Sequence, residues 1–489
     1  MTMLRTRRRS AAATTTSLVV ALVLSALPVV LLASSSPAAQ AAYARLYAPR
    51  TTPMAGLPFT LKGIITSDVK RTIKLQVVGS GGAATTVARS TATRRGTFTF
   101  RGVVLKRSAT LVAVAPKFRG KLKHPKPEVS TAPIVVKAVQ QSGSLVALPP
   151  IAQQGANPEA PSNAAQVVAS FRPARPGRRV RLQQKSRRTW RTVARGVQDG
   201  GGFASFAVRP GRTFRAVARP TLRISALRTG AVTSRSWKPA FEDTFSGHAL
   251  DTSVWGDRPN DGTEALGRRT CARADAAPRS VSGGTLRLGI GLDPSRTGET
   301  CHYSTARYGD GASPYLVNTQ IDSRKGYHFT HGFAAARIKW QRPKGMHGGF
   351  WLQPLEGTTA GRPDLGAEVD VVEHFGDDTL KGGVGSFIHY PDANGGNVPL
   401  AADPARTAKL KPRGDQWWSS YHVFSVQWTP KKYVFRVDGR EFWRESRAVS
   451  QVRQYLLLSM LTSDYELKDL DPAEYAAAAN VDWVRVWQS

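Results

Sequence analysis

Between Glu368 and Glu373 the chain sets three carboxylates among three valines, Glu368-Val369-Asp370-Val371-Val372-Glu373. β-Branched valine favours a strand, and a strand buries ionisable groups only where partners or a task repay the desolvation. Side chains alternate along a regular strand, so Glu368 and Asp370 share a face while Glu373, five residues on, would point the other way. One extra residue, a β-bulge at Val371 or Val372, returns Glu373 to the carboxylate face. The stretch therefore predicts a bulged, concave strand with three acids on one side.

Two carboxyl groups about 5 to 5.5 Å apart, one ionised as nucleophile and one protonated as acid/base, are what retaining glycoside hydrolysis requires. On these six residues alone two other readings stay open: surface acids on an amphipathic strand, or an oxygen-rich cation site.

A chain of 489 residues exceeds a single core and predicts two to four domains. Residues 1–41 read as an export signal, with Arg5, Arg7, Arg8 and Arg9, an apolar run from Leu18 to Leu32 and the small-residue site Ala39-Gln40-Ala41. The run is short for a membrane span. Arg7-Arg8 suggests a twin-arginine signal, but Arg9-Ser10-Ala11 matches that pattern poorly, so ordinary secretion to an extracellular or wall-associated location is expected, with a retained N-terminal anchor as the alternative. In that compartment Cys271 and Cys301 read most simply as one disulfide, worth about 3 to 4 kcal/mol for a loop of this length. Two buried free thiols are the alternative, and no Cys-based catalytic motif surrounds either residue.

Charge divides the chain. Ala42 to Ala240 carry 36 Lys and Arg against four acids, Asp68, Glu128, Glu159 and Asp199, whereas Phe241 to Ser489 carry 29 bases and 30 acids. A basic field of that size attracts polyanions, and for an exported chain these are anionic cell-wall polymers, acidic polysaccharides or anionic lipid rather than nucleic acid. A solvated arginine-rich surface is the alternative.

The basic half also repeats. Ile73-Lys74-Leu75-Gln76 returns as Val180-Arg181-Leu182-Gln183, Thr86-Val87-Ala88-Arg89 as Thr192-Val193-Ala194-Arg195, and Gly96 with Phe100 as Gly202 with Phe206, at offsets of 106 or 107. Alternating apolar residues and glycine turns predict two β-sandwich modules, residues 42–139 and 167–240, with a linker over 140–166 around Pro149-Pro150. They resemble the immunoglobulin-like repeats of secreted bacterial enzymes and read as spacers or wall-binding modules.

Residues 241–489 carry a longer series of motifs. Phe241-Glu242-Asp243-Thr244-Phe245-Ser246-Gly247, Val281-Ser282-Gly283-Gly284-Thr285-Leu286-Arg287-Leu288, Gly349-Phe350-Trp351-Leu352, the acidic strand, Val426-Gln427-Trp428-Thr429-Pro430 and Val481-Asp482-Trp483-Val484-Arg485-Val486 follow one another in an order that resembles glycoside hydrolase family 16. The resemblance implies an all-β domain, a jelly-roll sandwich with a substrate cleft on its concave sheet. Short alternating strands and scant helical periodicity point the same way independently.

Carried onto this chain, the family motif makes Glu368 the nucleophile, Asp370 the residue that orients it and Glu373 the acid/base. Two residues between Asp370 and Glu373 are similar to the laminarinase and galactanase branches, whose catalytic strand is bulged, rather than the lichenase branch. The implied activity is endo-cleavage of a β-linked polysaccharide, a β-1,3-glucan or related glucan or galactan, with transglycosylation or wall-polysaccharide binding without chemistry as alternatives. Trp351, His389, Tyr390, Trp417 and Tyr465 are the expected sugar contacts, with Trp418 a further candidate; Trp428 and Trp483 are expected in the core.

Met346-His347-Gly348-Gly349-Phe350-Trp351 stands where β-1,3-glucanases carry Trp-Pro-Ala-Phe-Trp, and Thr462-Ser463-Asp464-Tyr465-Glu466 replaces a glycine-rich stretch. No cofactor is required for the chemistry. Some family members hold a structural calcium, whose ligands here would be the Asp482 side chain and backbone oxygens near Thr244 and Gly284. No obligate protein partner is implied.

Overall fold

The computed structural model describes residues 43–488 except 80, 120–124, 154–159, 222, 259–268, 306–308, 377–382, 409 and 411–413. The expected export signal lies outside the described residues, as does the middle of the expected linker. Strands dominate, and among the described residues the longest helix is the four-residue Pro404–Thr407.

The sequence repeat is a structural repeat. Thr72–Val78 pairs with Ala84–Thr91 and Ala109–Ala115, and Arg179–Ser186 pairs in the same way with Thr189–Val197 and Thr213–Ala218. The same irregularity recurs, between Leu75 and Gln76 and between Leu182 and Gln183. Gly96 and Gly202 both take positive φ, +79° and +80°, and a Cβ on either would run into a carbonyl oxygen, of Ile65 or Phe171. Each module also buries one arginine against backbone carbonyls, as a buried guanidinium demands. Arg71 donates to Ala115 and Pro127 at 2.9 and 2.8 Å, Arg178 to Arg219 and Ser225 at 2.9 and 2.7 Å.

The linker reading needs correction. Ser142–Leu148 is a strand of the second module and pairs with Ala165–Arg172 from Arg172↔Ser142 to Gln166↔Leu148. Its polar start, Gln140 to Ser144, hid an apolar continuation in which Leu145 and Leu148 are buried. Pro149-Pro150 ends that strand, but Ile151 goes straight into a core shared with the C-terminal domain.

That domain is a sandwich of two antiparallel sheets. One runs Arg440–Glu445, Lys432–Val437, His422–Thr429, Gly332–Lys339, Ala478–Trp487 and Thr285–Leu292. The other runs Asn397–Ala401, Val384–Pro391, Glu368–His374, His347–Pro354, Gln454–Leu461 and Leu316–Asp322. Between them lie Trp340, Phe350, Trp417, Phe424, Trp428 and Trp483, and Cys271–Cys301 closes a disulfide beside this core. The second module packs on the first of these sheets: Trp237 meets Phe333 edge-on at 5.3 Å, and Trp487 Nε1 donates to the Ser162 carbonyl at 2.9 Å. The acidic strand belongs to the second sheet.

Candidate active site

The bulge falls at the acids. Against His347–Pro354, Trp351 pairs with Asp370 while Phe350 pairs with Val372, leaving Val371 without an opposite residue. On the other side Asp370 faces Phe387 and Glu373 faces Gly385, so Val371 and Val372 together oppose Ser386. Ser386 Oγ donates to the displaced Val371 carbonyl at 2.7 Å, satisfying a buried group that the interrupted ladder leaves over. Val369, Val371 and Val372 are buried in the core, and Glu368, Asp370 and Glu373 line one cleft of about 670 Å³.

The three carboxylates have different surroundings. Glu368 accepts from Gln353 Nε2 at 2.7 Å, and Gln353 is itself aimed by Arg258 Nη1 at 2.6 Å and Tyr455 Oη at 2.9 Å on its carbonyl. The Glu368 carboxyl thus has a donor whose orientation is fixed from behind. Asp370 is buried, and burial, then the charges of Glu368 and Glu373, push its carboxyl well above the usual range. Burial is also the main reason Glu373 is pushed up to about 7, with His347 and Arg269 pulling down and Glu368 and Glu466 pushing up. One carboxylate held by a hydrogen bond and two whose proton affinity burial raises is the kind of separation that acid/base chemistry needs.

Of the expected sugar contacts, Trp351, His389, Tyr390 and Tyr465 line this cleft. Trp351 Nε1 donates to Ser459 Oγ at 3.1 Å, and the Arg258 guanidinium lies 5.1 Å from its ring centre. Asn397 Nδ2 meets His389 Nδ1 at 3.2 Å, which leaves Nε2 to face Asp370 Oδ2 at 3.4 Å. Trp417 is not brought to the cleft: it is fully buried and packs on His422 at 4.8 Å and Phe424 at 5.8 Å. Its neighbour Trp418 lies beside Arg342. Trp428 and Trp483 are in the core as expected.

Gln353, Ser459, Arg258, Asn397 and His347 line the cleft without having been singled out from the sequence. The signal was present for two of them: His347, Trp351 and Gln353 fall on one side of a period-2 strand once Trp351 is known to face the cleft.

Among the described residues, Glu368, Asp370 and His389 are a group whose ligand atoms, within 4.8 Å of one another, could hold a cation. The calcium arrangement fits less well. The Asp482 carboxylate is paired with the Arg337 guanidinium, so the single side-chain ligand is already neutralised by a cation. Chelation with EDTA should accordingly leave the Tm unchanged; a fall of several degrees, reversed by calcium, would favour the metal.

Residues 297–483 match the family model described as glycosyl hydrolases family 16. A Drosophila melanogaster protein named Gram-negative bacteria-binding protein 3 is 30% identical over 174 residues, 33% of this chain and 32% of its own length. Glucan endo-1,3-beta-glucosidase A1 of Niallia circulans is 25% identical over 42% of this chain and 29% of its own, and beta-1,3-glucan-binding protein 1 of Manduca sexta is 26% identical over 27% and 26%. The chain thus spans about a third or less of the curated relatives it matches. Among solved structures, the endo-beta-1,3-glucanase of Pyrococcus furiosus is similar over 52% of this chain and 95% of its own at 18% identity and a TM-score of 0.41, and the laminarinase catalytic domain of Thermotoga petrophila over 52% and 98% at 17% and 0.40. The family match begins before the acidic strand and ends after Asp482, so the resemblance of the C-terminal domain to glycoside hydrolase family 16, carried in the sequence by its ordered motifs, is shown.

Proposed function

We propose that the chain is a secreted endo-glycosidase that cleaves a β-linked polysaccharide with retention, β-1,3-glucan or a related glucan or galactan. The observation that carries this reading is the bulge at Val371, which puts Glu368, Asp370 and Glu373 on one cleft face, where burial raises the proton affinity of Asp370 and Glu373. Glu368 attacks the anomeric carbon as the glycosidic C–O bond breaks, and Glu373 gives its proton to the leaving oxygen. Asp370, kept protonated, shares its proton with the Glu368 side of the cleft. In the second half Glu373 takes a proton from water, the water oxygen displaces Glu368 from the anomeric carbon, and configuration is retained; a sugar hydroxyl in place of water gives transglycosylation.

The name of the Niallia circulans relative supports a 1,3-β-glucan substrate, while the names of the two insect relatives, one bacteria-binding and one beta-1,3-glucan-binding, support a second reading, a polysaccharide-binding protein. Incubation with laminarin, mixed-linkage glucan, agar, carrageenan and galactan separates the two. New reducing ends of retained configuration on one polysaccharide support the enzyme; binding with every polymer left uncut would replace it with the second reading.

For the basic modules the proposed partner is an anionic wall polymer. On the outer face of each module a cation stands directly opposite another across the ladder, Lys74 opposite Arg89 and Arg181 opposite Arg195. Like charges so placed cost stability, and a polyanion laid over them relieves it. Binding to an anionic wall preparation should weaken steeply between low and high salt, log affinity falling linearly with log salt. Affinity unchanged by salt would exclude this electrostatic role.

A further inference from the structure

The two stretches in which the chain departs from the family pattern meet in the fold. His347, from the first, places Nδ1 2.6 Å from Oε2 of Glu466, from the second. Both side chains are buried, 7% exposed each. Phe375 stacks on the His347 ring at 5.3 Å, and Glu466 Oε2 also accepts the Ser463 backbone N–H at 3.0 Å. Two departures on separate segments therefore make one buried hydrogen-bonded pair.

This pair stands beside Glu373. His347 opens the strand that pairs with the acidic strand, two residues before Gly349, which lies directly opposite Glu373. His347, Glu373, Phe375 and Tyr465 all line the cleft. Building on the reading of Glu373 as the acid/base, we infer that His347, held by Glu466, is a positioning residue for Glu373: its imidazole keeps a proton beside that carboxyl and sets the pH above which Glu373 stops donating.

The charged and titratable groups around His347 come from three directions. Glu466 and Tyr465 lie on the segment after Gln454–Leu461, Glu373 on the acidic strand with Glu368 beyond it, and Arg269 just before Ala272–Ala274. Burial alone would strip the proton from His347, but the charge and hydrogen bond of Glu466, with Glu373 adding to them, outweigh both burial and Arg269 and raise its proton affinity. The influence is mutual, since His347 opposes the upward push of burial on Glu373. An imidazolium favours the ionised carboxylate, so without it Glu373 holds its proton to higher pH.

NMR titration of His347 in the full chain tests this without any substrate, the resonance being assigned by its loss in His347→Gln. Coupling is reciprocal, so Glu373→Gln should lower the His347 midpoint by about one pH unit, and Glu466→Gln should lower it as well. A midpoint unmoved in Glu373→Gln would overturn the inference and leave the glycosidase reading standing. A chain inert on every polysaccharide would overturn it by the other route, through the role of Glu373. On a polysaccharide that is cleaved, His347→Gln should move the alkaline limb of kcat/KM upward by about one unit. Turnover reduced equally at all pH, with the limb in place, would reduce His347 to a structural role and overturn the inference.

Discussion

Glu368→Gln is expected to leave the fold intact and to abolish turnover on whichever polysaccharide the native chain cleaves. The substitution keeps the side-chain volume, and the amide oxygen can still accept from Gln353 Nε2, which now lies 2.7 Å from the carboxylate. What is lost is the nucleophile. Among the described residues, the other two carboxyls of the cleft are ill suited to that role, because burial raises the proton affinity of both Asp370 and Glu373. The loss should approach about 10⁶-fold, the lower end of what enzymes contribute over water. Binding of the polysaccharide should persist, since Trp351 and Tyr390 are untouched. Reducing-end release at near-native rates would remove Glu368 from its role, and the retaining mechanism with it.

Glu373→Gln should do two opposite things. Turnover should fall by about 10²- to 10⁴-fold, the usual contribution of a positioned acid/base. Stability should rise at alkaline pH. The carboxyl of Glu373 is pushed up to about 7 in the folded chain, so folding binds its proton more tightly than the unfolded chain does. The native protein therefore loses stability as pH climbs from the ordinary glutamate range through 7, on the order of 1 to 3 kcal/mol once fully ionised. An uncharged glutamine escapes that loss. Thermal melts at pH 8.5 should favour the variant by several degrees, and melts at pH 4 should show little difference; a gap of the same size at both would mean that Glu373 does not carry a raised proton affinity.

What could be read beforehand depended on whether a signal was local. The bulge was legible because Glu368, Asp370 and Glu373 cannot share a face of a regular strand, and the sandwich because apolar residues alternate in short runs. Its brace, Ser386, was not, since nothing near Ser386 in the sequence tells which carbonyl it will meet. Gln353 stood two residues from Trp351 and could have been placed by periodicity, but its task depends on Tyr455 and Arg258, far away along the chain. Trp417 misled for the same reason. An aromatic in a polar segment resembles a sugar platform until His422 and Phe424 close over it. The strand Ser142–Leu148 was missed because its first residues have the composition of a tether, and only pairing with Ala165–Arg172 makes it part of a sheet.

The apolar core continues without interruption from Leu148, Ile151, Phe203 and Trp237 of the second module into Phe333 and Trp487 of the jelly roll. In charge, Ala240 is a seam between two unlike halves; in packing, it is no seam at all. A C-terminal fragment begun there would carry a bare hydrophobic back, and its behaviour in solution would say little about the cleft. Joined as they are, the second module and the jelly roll share one apolar core. Loosening that shared contact, where Trp237 meets Phe333, would weaken both units at once.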